Sequence, residues 1–469
     1  MLQTIIARFS TLNIPALLTS AVGAALVIFL LQRLTNPLRH LPGPEISRWT
    51  NLLYDYYWLT GQIPYYVHSL HEKYGPIVRT SPGRVDICDA AAVKEIHKIH
   101  TKFLKPKFYR DLVPGNIHTM FTTTDPGFHA SRRRLLASPI SDSSLSHLEP
   151  QITSRVLYAI ERITEEMESR GAADVFKWWL FMATDIIGEL SFGESFRMLE
   201  AGTPTQYSKD LEKISSMQPI RTTFPGLVKL GAYIPIPPFS TSAAAGKRIG
   251  MYAYQSIQRY KNHLAANPAN PTSTLFTKIF DVEKSGLSDA DIRSEAQGYI
   301  VAGSDTTAVT LTYLVYSVCR DPRIRTRLVQ ELSALPEPVS DRDLRNAPYL
   351  NNVITETLRL YSAVPFGMPR AVPAEGAQFN GYFLPGGSTV STQSYSLHRD
   401  PGIFPEPESF KPERWENTTK EMKDVSLPFG GGSRICIGMH LARVELRLAT
   451  ALFFPEIPRG AYLHQGRDE

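Results

Sequence analysis

Residues 428–438 read PFGGGSRICIG and run into MHLARVELRLATALFF, whose apolar residues recur with a helical period. Cys436 therefore stands where a glycine-rich loop enters a helix. Amide N–H groups at a helix N-terminus stabilise a thiolate, and Arg434, two residues earlier, adds positive charge. Gly430, Gly431 and Gly432 let the backbone turn tightly and approach a flat ligand, and Gly438 removes a side chain from the same surface. A thiolate so placed serves as a cysteine nucleophile or as a metal ligand. A nucleophile needs a histidine base, which can lie anywhere in the sequence; a buried cysteine in a glycine-rich turn is the third reading.

The surrounding chain narrows the classes. It has 469 residues, 43% hydrophobic and 20% charged, which excludes wholesale disorder, a collagen-like repeat and a polytopic membrane protein. A formal charge of +5 and a pI near 8.9 are mildly basic, without the dense Lys/Arg blocks of a nucleic-acid binder, so no nucleic-acid partner is expected. Three cysteines, Cys88, Cys319 and Cys436, build neither a disulfide framework nor a zinc site and fit a reducing compartment.

Outward to the N-terminus, Ile14 to Leu31 reads IPALLTSAVGAALVIFLL without a charge. At about 1.5 Å per residue it spans roughly the hydrocarbon core of a bilayer, so a transmembrane helix over 14–31 is expected within an anchor of residues 1–36. A cleaved signal would have a shorter apolar run followed by a small-residue site. Arg33, Arg39 and Arg48 follow the run and only Arg8 precedes it, which leaves the bulk of the chain cytosolic. Prolines 37, 42 and 44 make residues 37–44 a stiff hinge. From residue 45 to 469 one globular domain is expected.

That domain reads as mainly α with a small β-sheet. Helical patterns cover Leu148–Arg170, Asp174–Leu190, Met251–Ala265, Asp289–Arg320, Ile324–Leu335 and Leu350–Tyr361. Strand-like stretches lie at Ile77–Arg79, Val85–Cys88, Phe379–Phe383 and Thr389–Gln393. Between Pro219 and Pro238 an apolar, proline-rich segment with Phe224 and Tyr233 reads equally as a packed loop or as a patch dipping into a membrane.

Phe429, Gly432, Arg434, Cys436 and Gly438 meet the pattern FxxGxRxCxG, a chance match on the order of a few in 100,000. On these residues the chain resembles the cytochrome P450 family of haem-thiolate monooxygenases, from the N-terminal run and hinge to the cysteine loop. The resemblance implies the cytochrome P450 fold, a haem cofactor and Cys436 as the axial thiolate to its iron. It also implies an apolar small-molecule substrate, molecular oxygen, and electrons from NADPH through NADPH-cytochrome P450 reductase. An endoplasmic reticulum membrane location follows, with a single span and a cytosolic catalytic domain.

Further motifs stand in the family's order. AGSDTT, residues 302–307, lies inside the Asp289–Arg320 helix, where Asp305 and Thr306 are poor helix formers in an apolar stretch. The Thr306 hydroxyl can bond back to the Ala302 carbonyl and open the helix locally, and Ala302 and Gly303 are small enough to leave room over a ring. The resemblance makes this the oxygen-binding helix, with Asp305 and Thr306 delivering protons. Glu356 and Arg359 share one helix face, a pair worth little by itself. The resemblance adds Arg414 of FKPERW to it in a buried network that fixes the cysteine loop.

For the haem propionates the resemblance points to Arg434, Arg370, His129 and Arg133. Arg132 and Arg134 read as a solvated basic face that, with Arg443 and Arg447, would dock an acidic reductase. Family position puts Met120, Phe121, Ile300, Val301, Val364 and Phe366 in the substrate pocket; a core role is the other reading of each. Only 33 residues follow Cys436, and their proline- and charge-rich wording suggests that the family's last β-hairpin is missing or replaced. Two rival functions stay open: a haem-thiolate isomerase or dehydratase without external oxygen, which the Asp305–Thr306 pair opposes, and a truncated, non-catalytic haem- or ligand-binding protein on the same fold. The wording of YLNNVITETLRLYSAVP and SLHRDPGIFPEPESFKPERW resembles fungal members that tailor secondary metabolites.

Overall fold

The computed structural model of the chain describes residues 14–113, 117–231, 236–237, 239–266, 274–275 and 287–456. Its principal helices are α1 (Ile14–Leu34), α2 (Leu52–Leu59), α3 (Pro126–Ala137), α4 (Glu149–Arg170), α5 (Val175–Phe192), α6 (Gln218–Thr223), α7 (Asp289–Arg320), α8 (Pro348–Leu360) and α9 (Met439–Glu456). The strands are β1 (Ile77–Ser81), β2 (Arg84–Ile87), β3 (Arg370–Ala371), β4 (Ala377–Phe379), β5 (Tyr382–Leu384) and β6 (Thr389–Ser391). A mainly helical fold with small sheets is what the patterns predict.

Local chemistry sets the helix ends. Ser288 and Asp291 form a reciprocal capping box at the start of α7. The Asp174 side chain accepts from the Lys177 amide at the start of α5, which ends on Gly193 at φ 77°. Ile292, Ala296, Leu311 and Leu314 of α7 pack with α4, α5 and α9 in the main core. The helix predicted over Met251–Ala265 begins earlier, at Phe239. Its buried face is carried by Ala245, Ile249, Ala253 and Ile257, four residues apart, and the alanines are too small to give a strong apolar signal.

The sheet has the order β1-β2-β6-β3, with β2 and β6 parallel and the other pairs antiparallel. Arg370 pairs with Val390, and a bridge from Leu104 to Ala371 brings the segment before Lys105 alongside. The stretch Phe379–Phe383, predicted as one strand, is instead the tip of the β4–β5 hairpin. Asn380 and Gly381 take φ 48° and 82°, the left-handed pair a two-residue hairpin turn requires.

The run over residues 14–31 is helical, and Val22, Leu26, Val27 and Leu31 are exposed. Among the described residues no helix is long and apolar enough to cross a membrane, so the expected transmembrane span is not supported. The side chains of residues 14–18 and 21 lie outside the described set. The hinge is bound to the domain body rather than free. Fully buried Arg79 donates to the carbonyls of Arg39 (3.0 Å), Leu41 (2.7 Å) and Pro44 (3.0 Å), and Leu38 and Leu41 enter the sheet's core. Tyr233 of the 219–238 segment and the tail after residue 456, where the hairpin question arose, lie outside the described residues.

Candidate functional site

The loop before α9 is folded by its own backbone. The Cys436 amide donates to the Phe429 carbonyl (2.8 Å), and the Gly430 amide to that of Leu427 (3.0 Å). Gly432 has φ 58°, and a Cβ there would lie 1.9 Å from the His97 carbonyl oxygen, so no other residue fits. Cys436 is exposed, and a Cβ added at Gly438 would meet its Sγ at 3.9 Å. The thiol is accessible yet enclosed by protein mass. That burial pushes its pKa up, opposed by the amides of Gly438 and Met439 and by Arg133. Cys88 and Cys319 are partly buried, and burial raises both thiols.

Cations gather above this loop. Arg370 is 3% exposed, and its Nε and Nη1 atoms have no hydrogen-bond partner; Arg434 Nη1 and His97 Nδ1 are likewise unpartnered. Burial lowers the Arg434 pKa, and Arg370 lowers it further. Burial, then Arg434 and Arg370, push Lys105 down to about 7. His129 falls to about 3 through burial and the surrounding Arg434, Lys105, Arg133 and Arg370. None of Lys105, Arg370 and Arg434 forms an ion pair among the described residues. Buried like charges with unused donors are costly unless an anion joins them, and the two propionates of a haem fit that need. Sequence reasoning missed Lys105 and His97, which lie outside the motifs; the β-bridge at Leu104 is what brings Lys105 in.

Arg133 Nη1 donates to the Ile435 carbonyl at 2.7 Å, so this arginine braces the cysteine loop with one of its five N–H donors. One sequence assignment changes. Arg132 and Arg447 are not part of a solvated face. Arg132 bonds Asp291 (2.8 Å), and Arg447 holds Asp341 through Nε (2.7 Å) and Nη2 (2.6 Å), both arginines being buried by these pairs. Arg134 and Arg443 remain exposed, with Arg443 over the Phe429 ring.

Helix α7 is continuous through AGSDTT, so the expected local opening does not occur, although Thr306 Oγ1 does donate to the Ala302 carbonyl at 2.7 Å. Val301, Ala302 and Asp305 are exposed on one face of this otherwise central helix, with Thr306 beside them. Burial by the surrounding protein, then Glu212, raises the Asp305 carboxyl. Ile300 is fully buried in the main core and cannot line a pocket, because it points away from the Val301–Asp305 face. Phe121 is 50% exposed; Met120 is buried, its amide donating to Glu295 Oε1 (2.8 Å). Val364 is half-buried, and half-buried Phe366 packs against Trp58.

The next residue of α7 reaches the cysteine helix. Thr307 Oγ1 donates to Glu445 Oε2 (2.9 Å), and burial holds the Glu445 carboxyl at about 8. Between its ordinary 4.5 and about 8, the folded state keeps a proton that the unfolded chain has released. Stability therefore falls as pH rises through that window, by about 1.4 kcal/mol per unit at most. Glu445→Gln removes this dependence. Its melting temperature should match the parent near pH 5 and exceed it increasingly toward pH 8; parallel pH curves would overturn the assignment.

Glu356, Arg359 and Arg414 come together as expected. Glu356 Oε1 accepts from Arg359 Nη2 (2.8 Å), Arg414 Nε (2.9 Å) and the Lys411 amide (2.8 Å), while Oε2 accepts from Arg359 Nε (2.8 Å) and Trp415 Nε1 (2.9 Å). The route to the cysteine loop runs through a residue the motifs omit. His398, kept neutral by burial at about 4, donates from Nδ1 to the Arg359 carbonyl (2.9 Å) and accepts the Leu427 amide at Nε2 (3.1 Å). Leu427 in turn receives the Gly430 amide.

The family model for Cytochrome P450 matches residues 42–456. The cytochrome P450 monooxygenase tazI of Aspergillus terreus is 52% identical, over 93% of this chain and 91% of that protein. The cytochrome P450 monooxygenase orf2 of Aspergillus niger is 46% identical, over 96% and 93%. The cytochrome P450 monooxygenase stcB of Emericella nidulans is 34% identical, over 90% and 82%.

Proposed function

The chain belongs to the cytochrome P450 family of haem-thiolate monooxygenases, and from that membership we propose that it oxidises an apolar small molecule of fungal secondary metabolism. The observation that supports this most is the pairing of an accessible Cys436 loop with the unused donors of Arg370 and Arg434 and an exposed Val301–Asp305 face on α7. In this reading Cys436 ligates the iron, and Arg370, Arg434, Lys105 and His129 surround the propionates. Gly432 and Gly438 keep the loop close to the ring. The haem, when bound, supplies oxygen activation with electrons delivered from NADPH through a reductase.

The chain's own residues position and supply protons. Thr306 is held by the Ala302 carbonyl with its oxygen's remaining lone pairs free to accept. Asp305, raised by burial, can take a proton from solvent and pass it toward Thr306. Phe121 and Val301 offer an apolar surface to the substrate. Exposed Arg134 and Arg443 are the basic residues offered to a reductase. The exposed apolar side chains of α1, with Phe224, Leu227 and Leu230, support association with the cytosolic surface of the endoplasmic reticulum membrane.

The test is incorporation of labelled oxygen from O2 into an apolar product by membranes carrying this chain, NADPH and a reductase. Thr306→Ala should lower product per NADPH by about ten-fold or more while leaving haem content unchanged. Turnover that needs neither NADPH nor O2 would favour an isomerase or dehydratase.

A further inference from the structure

Five aromatic rings form a run whose ends, Phe121 and Phe366, are residues that the family resemblance puts in the substrate pocket. Phe121 meets Tyr109 (5.8 Å, 78°), Tyr109 meets Phe108 (5.7 Å, 85°), Phe108 meets Trp58 (5.7 Å, 66°), and Trp58 meets Phe366 (5.2 Å, 84°). Every junction is edge to face, so successive rings turn alternately an edge and a face along the chain of contacts. The arc borders the cation cradle: Tyr109 lies within electrostatic reach of Arg370 and Arg434. It also borders the cysteine loop, because Met368, two residues after Phe366, packs against Gly430. Phe121 is half-exposed, and Phe108, Trp58 and Phe366 are incompletely buried. A flat aromatic molecule can stack on such a wall; a globular aliphatic one of equal size gains less.

Trp58 carries a second contact. Its Nε1–H donates to Thr222 Oγ1 (2.8 Å), joining α2 to the short helix α6. The neighbouring Arg221 ties α6 on its other side to the Leu112 carbonyl (3.1 Å), next to the Phe108–Asp111 turn that holds two rings of the arc. Helix α6 is thus tied to both parts of the arc, to Trp58 through Thr222 and to the chain after the Phe108–Asp111 turn through Arg221.

We propose that Trp58 determines specificity in this enzyme: its ring favours planar aromatic ligands, and its bond to Thr222 latches α6 over their path. The proposal rests on the haem-thiolate reading and goes beyond it to substrate shape and entry. Its test uses haem-loaded protein and three iron-ligating probes: imidazole, a biphenyl-imidazole and a cyclohexyl-imidazole of similar length, followed by stopped-flow absorbance. Thr222→Val and Trp58→Phe should each speed both association and dissociation of biphenyl-imidazole by about five-fold, the factor one net hydrogen bond commands, with imidazole unchanged. The double variant should be no faster than either single one. Trp58→Ala should weaken biphenyl-imidazole by about five-fold relative to the cyclohexyl probe. Equal changes for all three probes, or none, would overturn the proposal. A protein that takes up no haem would instead count against the haem-thiolate reading itself.

Discussion

Replacing Cys436 by alanine abolishes the thiolate-type Soret shift of the ferrous carbonyl complex and, with it, more than about 99% of monooxygenase turnover. The reason is specific to this loop. Cys436 is the exposed cysteine of the three, and its Sγ has the amides of Gly438 and Met439 and the Arg133 guanidinium to stabilise it as an anion. Cys88 and Cys319 cannot stand in: burial raises all three thiols, but only Cys436 has backbone amides opposing it, and nearby carboxylates raise Cys88 further. The cradle itself survives the substitution, because Arg370, Arg434 and Lys105 come from separate elements. Some haem should therefore still bind, and the loss should appear in the spectrum before it appears in haem content. Cys436→Ser is the stricter control, being nearly isosteric with a much harder ligand atom. A thiolate-type spectrum in either variant would refute the assignment of Cys436.

The second large effect is on assembly. Glu356→Ala strands Arg359, which is 1% exposed, together with Arg414, the Lys411 amide and the Trp415 indole, all of which lose their shared acceptor. Removing one partner of a buried pair costs about 3–5 kcal/mol, against a total stability of about 5–15 kcal/mol. The damage passes from Arg359 through His398 to Leu427 and the cysteine loop, so haem retention should fail with the fold. The haem-to-protein ratio should drop by about ten-fold and the urea midpoint should fall steeply. Glu356→Gln, which keeps one carbonyl acceptor, should fall between the two. Removing Glu45 from its exposed pair with Arg48 should cost less than about 1 kcal/mol. Equal effects of Glu356→Ala and Glu45→Ala would show that the network carries no such weight.

How much of this was legible in the chain varied with the kind of signal. The Cys436 loop could be read because its constraints are local: glycines for positive φ, a thiol at a helix start, and Arg434 two residues away. The Asp289–Arg320 helix was legible to the residue, since its capping box and last-turn arginine are neighbours in sequence. Met251–Ala265 was misjudged at its start because alanines carry its buried face, and Phe379–Phe383 because an Asn-Gly turn splits it.

Residue types at fixed spacing therefore carried the family resemblance, which in turn implied the cofactor, and singled out Cys436, Glu356 and Arg359. Tertiary structure alone decided what each charge and ring does. Arg132, Arg133, Arg370 and Arg447 look alike in sequence, yet one pairs with Asp291, one braces Ile435, one is left with free donors and one is locked to Asp341. Trp58 and Thr222, 164 residues apart, carry no mark of their bond. The physical reason is the same in each case. A backbone conformation or a helix cap is settled within a few residues, whereas the partner of a buried charge or ring is settled by whichever distant element packs against it.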